Sequence, residues 1–181
     1  MRPLLISKVA MVLGGLVPGA DAHAQSDARC FPETGSCISG AIRRYWESHG
    51  GLPVFGYPTG PVETMSIEGW TGPAQWFERD RLEDHAAQGH GVLAGRLGAE
   101  RLAQLGRPWA PGEGVMRTPT CRHFPETGYN VCGAFRAYWE RNGGLERFGY
   151  PITAEQSELI GDQPYIVQYF ERRRMELHPE N

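Results

Sequence analysis

Apolar side chains recur at helical spacing twice in this chain. Ile38, Ala41, Ile42, Tyr45 and Trp46 fall at i, i+3, i+4, i+7 and i+8, and Val131, Ala134, Phe135, Tyr138 and Trp139 repeat the stripe. That spacing predicts an amphipathic helix in each place. Ser36 or Ser39 is placed to cap the first helix, and Gly50-Gly51 to end it with a left-handed residue. Residues 73–78 and 81–85 read as two short strands around a tight turn at Arg79-Asp80, with residues 62–67 able to add a third. Alternation along such a strand turns Phe77 inward beneath Tyr45 and Trp46 and sets Trp76 on the opposite face with Glu78. Leu93, Leu97 and Leu102 within residues 91–104 predict a helix that closes this unit.

The pattern is a tandem repeat at an offset of 93. Phe31-Pro32-Glu33-Thr34-Gly35 returns as Phe124-Pro125-Glu126-Thr127-Gly128, and Tyr45-Trp46-Glu47 as Tyr138-Trp139-Glu140. Gly50-Gly51-Leu52 and Phe55-Gly56-Tyr57-Pro58 return as Gly143-Gly144-Leu145 and Phe148-Gly149-Tyr150-Pro151. Gln75-Trp76-Phe77-Glu78-Arg79 aligns with Gln168-Tyr169-Phe170-Glu171-Arg172, and Glu83 and His85 with Glu176 and His178. Between residues 31–85 and 124–178, 26 of 55 positions are identical without a gap, which establishes a duplicated module. The fold class expected is α+β: two tandem small modules, each one helix packed on a short antiparallel hairpin or three-stranded sheet. Module one with its closing helix takes residues 25–104, a Pro/Gly-rich linker 105–120, and module two 121–181.

The N-terminus sets the compartment. Arg2 and Lys8 flank a short basic start, Val9 to Val17 form an apolar run and Ala22-His23-Ala24 supplies the small residues of a cleavage site, the pattern of a secretory signal peptide over residues 1–24, cut before Gln25. The run is too short for a stable span of a bilayer about 30 Å thick, so a secreted or envelope location is expected. Export also gives the four cysteines their meaning, because small exported modules are where disulfides belong. Cys30 and Cys37 bracket the first Phe-Pro-Glu-Thr-Gly, and Cys121 and Cys132 the second, which favours those two pairs among three possible pairings. A four-thiolate metal site needs C-x-x-C spacing that is absent.

Composition narrows the chemistry. Net charge is −3, so nucleic acid, which demands clustered cations, is not the expected partner. Lys8 is the only lysine, so the cations beyond the signal peptide, His aside, are all Arg, a planar donor suited to carboxylates and sugar hydroxyls. Phe-Pro-Glu-Thr-Gly resembles a sortase sorting signal but occurs twice at module starts, where a turn explains it better. Glu83/His85 and Glu176/His178 stand two apart and share a face, yet two ligands fall short of a metal site and no nucleophile motif completes a catalytic one. No cofactor, metal or catalytic residue is therefore expected. Trp76 with Glu78, and Tyr169 with Glu171, are the candidate ligand contacts. A flat ring beside charged groups stacks on sugar C–H while the charges meet hydroxyls. The competing reading buries these rings against the hairpin's own loop, Trp70 included, or between modules.

The repeats resemble those of secreted bacterial proteins that read F-x-E-T-G-H, Y-W-x-x-x-G-G-L-x-x-F-G-Y-P, Q-Y-F-E-R and E-x-H-P-E-N. They are more distantly similar to the LGFP repeats of cell-wall-associated proteins, with Phe55-Gly56-Tyr57-Pro58 and Phe148-Gly149-Tyr150-Pro151 in the place of the LGFP turn. The LGFP hairpin turn is Asn-Gly, where this chain has Arg79-Asp80 and Arg172-Arg173. The resemblance implies a non-catalytic, wall-associated module. The resulting expectation is a secreted tandem-repeat binding protein for a cell-wall glycan or exopolysaccharide. The alternatives are a protein–protein adhesion module, or a small secreted hydrolase built on the Glu/His pairs.

Overall fold

The structure, a computed structural model, describes residues 27–112 and 118–178; the signal-peptide segment 1–24 lies outside the described residues. Module one runs β1 (Arg29–Phe31), β2 (Ser36–Ile38), α1 (Gly40–Ser48), α2 (Gly51–Phe55), β3 (Glu63–Ile67), β4 (Trp70–Trp76), β5 (Arg81–Asp84), a 3-10 turn (Ala86–Gln88), β6 (Val92–Ala94) and α3 (Leu97–Gln104). Module two runs β7 (Cys121–Phe124), β8 (Tyr129–Cys132), α4 (Gly133–Arg141), α5 (Gly144–Phe148), β9 (Gln156–Ile160), β10 (Gln163–Tyr169) and β11 (Arg174–Leu177). Each is an α+β unit: a two-stranded hairpin, a helix pair and an antiparallel sheet, ordered β3-β4-β5-β6 in the first and β11-β10-β9 in the second.

The Phe-Pro-Glu-Thr-Gly segment is the tip of the β1–β2 hairpin and not a turn leading directly into the helix. The Thr34 and Gly35 amides both donate to Phe31 O, and Gly35 supplies the positive φ of +66° that closes the turn. Cys30 stands opposite Cys37 in that hairpin and Cys121 opposite Cys132 in β7–β8, and both pairs are disulfide-bonded. Two short strands would be marginal alone; each crosslink fixes one pair in register.

Helix α1 starts on Ser39, but neither serine caps it through its side chain; the Asp27 carboxylate instead accepts the Gly40 N–H at 3.0 Å. It ends as the glycine pair predicts. Gly50 and Gly51 take φ of +102° and +53° and α2 begins at once, running alongside the buried Trp46 ring. The Trp46 indole N–H donates to Gly56 O at 3.2 Å, and Trp139 does the same to Gly149 O at 3.3 Å. Around these rings Phe31, Ile42, Phe55 and Phe77 form the first core, and Phe124, Phe135, Phe148 and Phe170 the second. Gln75 is wholly buried and donates to Cys37 O at 2.9 Å and Gly60 O at 2.8 Å, tying the cystine hairpin to the sheet; Gln168 repeats this with Asn130 O and Thr153 O.

The expected closing helix over 91–104 is two elements. Val92–Ala94 forms a strand paired with β5, and Gly95 gives its N–H to Arg81 O at 2.7 Å, so the helix starts only at Leu97. Its apolar side then packs on module two. Ala99 N–H donates to Glu171 O at 3.0 Å, and Ala99 and Leu102 join Ile152, Val167 and Tyr169 in a third buried cluster. The Pro/Gly-rich segment continues along the same surface. Arg107 bonds Glu158 at 2.8 Å, Trp109 covers the cluster, and Gly112 N–H reaches Thr127 O at 2.8 Å.

Candidate functional site

The Phe-Gly-Tyr-Pro turn decides what the candidate glutamates do. Gly56 has φ +77°, and a Cβ there would lie 2.7 Å from Glu78 Cβ, so glycine allows the two segments to meet. Across that contact Tyr57 N–H donates to Glu78 Oε2 at 3.1 Å. Gly149, Tyr150 and Glu171 copy the arrangement, again at 3.1 Å. Glu171 also receives Arg96 at 3.3 Å from the segment before α3. Both carboxylates are therefore turn-holding groups, and Glu171 belongs to the joint between modules.

The two candidate rings part company. Tyr169 has no exposed surface; its hydroxyl donates to Glu158 Oε2 at 2.9 Å and α3 lies over it. The expectation that Tyr169 forms a ligand platform is corrected: its face is filled by Ala99 and Leu102, which the repeat places only between the two copies. Trp76, at the same position of module one, remains 41% exposed.

Trp76 heads a continuous row on one face of the β4–β5 pair. Register sets Arg81 opposite it, with the guanidinium carbon 4.9 Å from the ring centroid. Arg81 is only 3% exposed. Its Nε donates to Glu83 Oε1 at 2.8 Å, and its terminal nitrogens to the Glu100 carboxylate of α3 at 3.0 and 2.6 Å. Burial opposes the charge on Arg81, but the bonds from Glu100 and Glu83 outweigh it and push its pKa up. Glu83 Oε2 sits 3.0 Å from His85 Nε2, and His85 stacks on Trp70 with centroids 4.1 Å apart and planes 22° from parallel. The row thus reads ring, cation, carboxylate, imidazole, ring. Alternation carries Trp70 and Arg81 to the face of Trp76 and could have flagged both. Glu100 carries no such signal, because it arrives from a helix whose docking the repeat pattern leaves open.

The Glu83/His85 pair is therefore part of a charge network and not an isolated dyad, since each Glu83 oxygen is already engaged. Module two keeps the pair, Glu176 Oε2 to His178 Nε2 at 3.0 Å. Among the described residues no group of three or more His, Cys, Asp or Glu is placed to hold a metal ion.

A concavity of about 180 Å³ lies between the modules, bounded by Tyr45, His49, Phe55, Glu146, Arg147 and Arg173. Burial, reinforced by Glu146, pushes the Tyr45 hydroxyl up to about 12, so it stays a neutral donor. His49 Nε2 meets Glu146 at 2.9 Å across the gap. These are joint contacts.

No protein-family model matches this chain, and no curated protein matches it. Two disulfides fit an oxidising compartment, and among the described residues no helix is long and apolar enough to cross a membrane.

Proposed function

We propose that the protein is a secreted, non-catalytic tandem-repeat binding protein that holds a cell-wall glycan or exopolysaccharide on the Trp76–Trp70 face of module one. The observation that carries this reading is Trp76 itself. The matching ring in module two is sealed beneath α3, whereas Trp76 stays open over an arginine fixed by two carboxylates. The Arg81 guanidinium lies over the Trp76 ring and holds it in place, so that the exposed part of the indole gives a sugar a fixed stacking surface. In this reading Glu83 and His85 serve that surface by holding Arg81 and Trp70. The likeness to wall-associated repeats supports the same reading.

Pull-down on purified wall and on a panel of exopolysaccharides tests it. Trp76→Ala weakens retention by about tenfold or more, equivalent to about 1.4 kcal/mol, while Tyr169→Phe leaves retention unchanged. Retention that survives Trp76→Ala, or that free sugar fails to compete, removes the glycan reading in favour of protein–protein adhesion.

A further inference from the structure

One edge strand of the module-two sheet, β11, borders a groove that module one fills with its own chain. In module one, β5 pairs on one side with β4 and on the other with β6. There β6 sits against α1, burying Ala94 to 4% exposure, and Val92 packs on the same core. Module two repeats the helix pair and the strand, but β11 has only β10 as a neighbour among the described residues. A groove of about 710 Å³ lies in the place of β6, lined by Phe135, Tyr138, Phe148, Met175 and Leu177 among others. Tyr138 is 45% exposed there and Leu177 37%, whereas Tyr45, the counterpart of Tyr138, is half-buried.

We propose that this groove is a docking site for an extended strand of a partner polypeptide, with the chemistry of β6: apolar, any residue, Ala, Gly, running antiparallel to β11. The internal copy sets the register. Ala94 lies opposite Leu82 and Val92 opposite Asp84, so the partner's Ala lies opposite Met175 and its apolar residue opposite Leu177. The glycine suits the close approach of that pair, since a Cβ on Gly95 would come within 2.8 Å of Glu83 Oε1 and 3.0 Å of Arg81 Nη2, whose counterparts are Glu176 and Arg174. Backbone pairing to an open sheet edge supplies affinity, and the alternate side chains supply selectivity. A carboxylate six residues beyond the Ala, where Glu100 follows Ala94, reaches Arg174 as Glu100 reaches Arg81. This surface is on the other module from the glycan face, and its test shares no residue with the test of that reading.

The probe is a fluorescent peptide with the sequence of residues 90–100, titrated into the full chain. Anisotropy saturates at one peptide per chain, and hydrogen exchange slows at residues 174–177. The peptide carrying Ala94→Arg binds about tenfold or more weakly, as does the native peptide to chain bearing Tyr138→Ala, a surface change that leaves the fold intact. No saturation by about 1 mM peptide, equal binding of the Ala94→Arg peptide, or protection confined to module one through exchange with the resident β6 each overturns the proposal.

Discussion

Asp80 and Arg173 hold the same position in the two repeats, 93 residues apart, and form an ion pair with each other. Arg173 also lies over Phe55 and Phe148, themselves repeat equivalents, at 6.0 and 5.9 Å. The modules therefore meet through matching surfaces. Identical copies would have set two aspartates or two arginines face to face at the centre of the joint, and like charges in a buried setting repel strongly. Divergence at this one position converts that repulsion into attraction.

Helix α3 adds the apolar part of the joint, and Gly98 sets how closely it approaches. A Cβ on Gly98 would stand 1.9 Å from Phe170 O and 3.0 Å from Arg173 O, both backbone atoms. Helix propensity alone favours Gly98→Ala by about 1 kcal/mol. The clash decides the sign: the variant loses about 1–3 kcal/mol of stability because α3 must lift from module two. Gly60→Ala, where nothing lies within 4 Å of the added carbon, stays close to wild type. Thermal unfolding of the pair reads the difference, and a stabilised Gly98→Ala protein would mean that α3 does not rest on Phe170.

Two leucines of the α3 region separate burial from spacing. Leu102 is 1% exposed in the cluster with Tyr169, and Leu105 is 42% exposed. Leu102→Ala costs about 2–5 kcal/mol through lost burial and the cavity left behind. Leu105→Ala stays within about 0.5 kcal/mol. Urea midpoints at a shared slope check both, and similar midpoints for the two variants would remove α3 as the inter-module seal.

The repeat made much of this fold legible. One offset located both helices, both Gly-Gly ends and the strands around Phe77 and Phe170, and the bracketing of one segment by each cysteine pair identified the disulfides. The misreadings have local causes. Leu93 and Leu97 fit helical spacing, yet Val92–Ala94 found an open strand edge on β5, and tertiary pairing overrode periodicity. Glu78 and Glu171 looked like free carboxylates because nothing in the sequence says that Gly56 and Gly149 bring a backbone N–H to them. Trp76 and Tyr169 looked equivalent because module identity says nothing about neighbours. Only the path of residues 97–109 decides which ring is covered, and that path is tertiary.

The joint also carries a pH dependence with an unusual sign. Burial pushes the Asp80 carboxyl from 3.8 up to about 6, against the opposing pull of Arg173. The folded protein thus holds a proton at Asp80 more tightly than the unfolded chain does. Between those two values the native state binds more protons, so this group's contribution to stability falls as pH rises from about 4 to about 6 and is level above that. A shift of this size corresponds to about 3 kcal/mol. Glu158 and Glu176, held below the usual carboxylate range by hydrogen bonds and ion pairs that outweigh their burial, give the opposite slope. Those two titrate alike in wild type and in Asp80→Asn, so subtracting one stability curve from the other isolates Asp80. Urea unfolding at a series of pH values gives both curves. The asparagine variant gains on wild type steadily from about pH 4 to about pH 6. A flat difference across that window would mean that Arg173 holds Asp80 ionised throughout and that the joint is insensitive to acid.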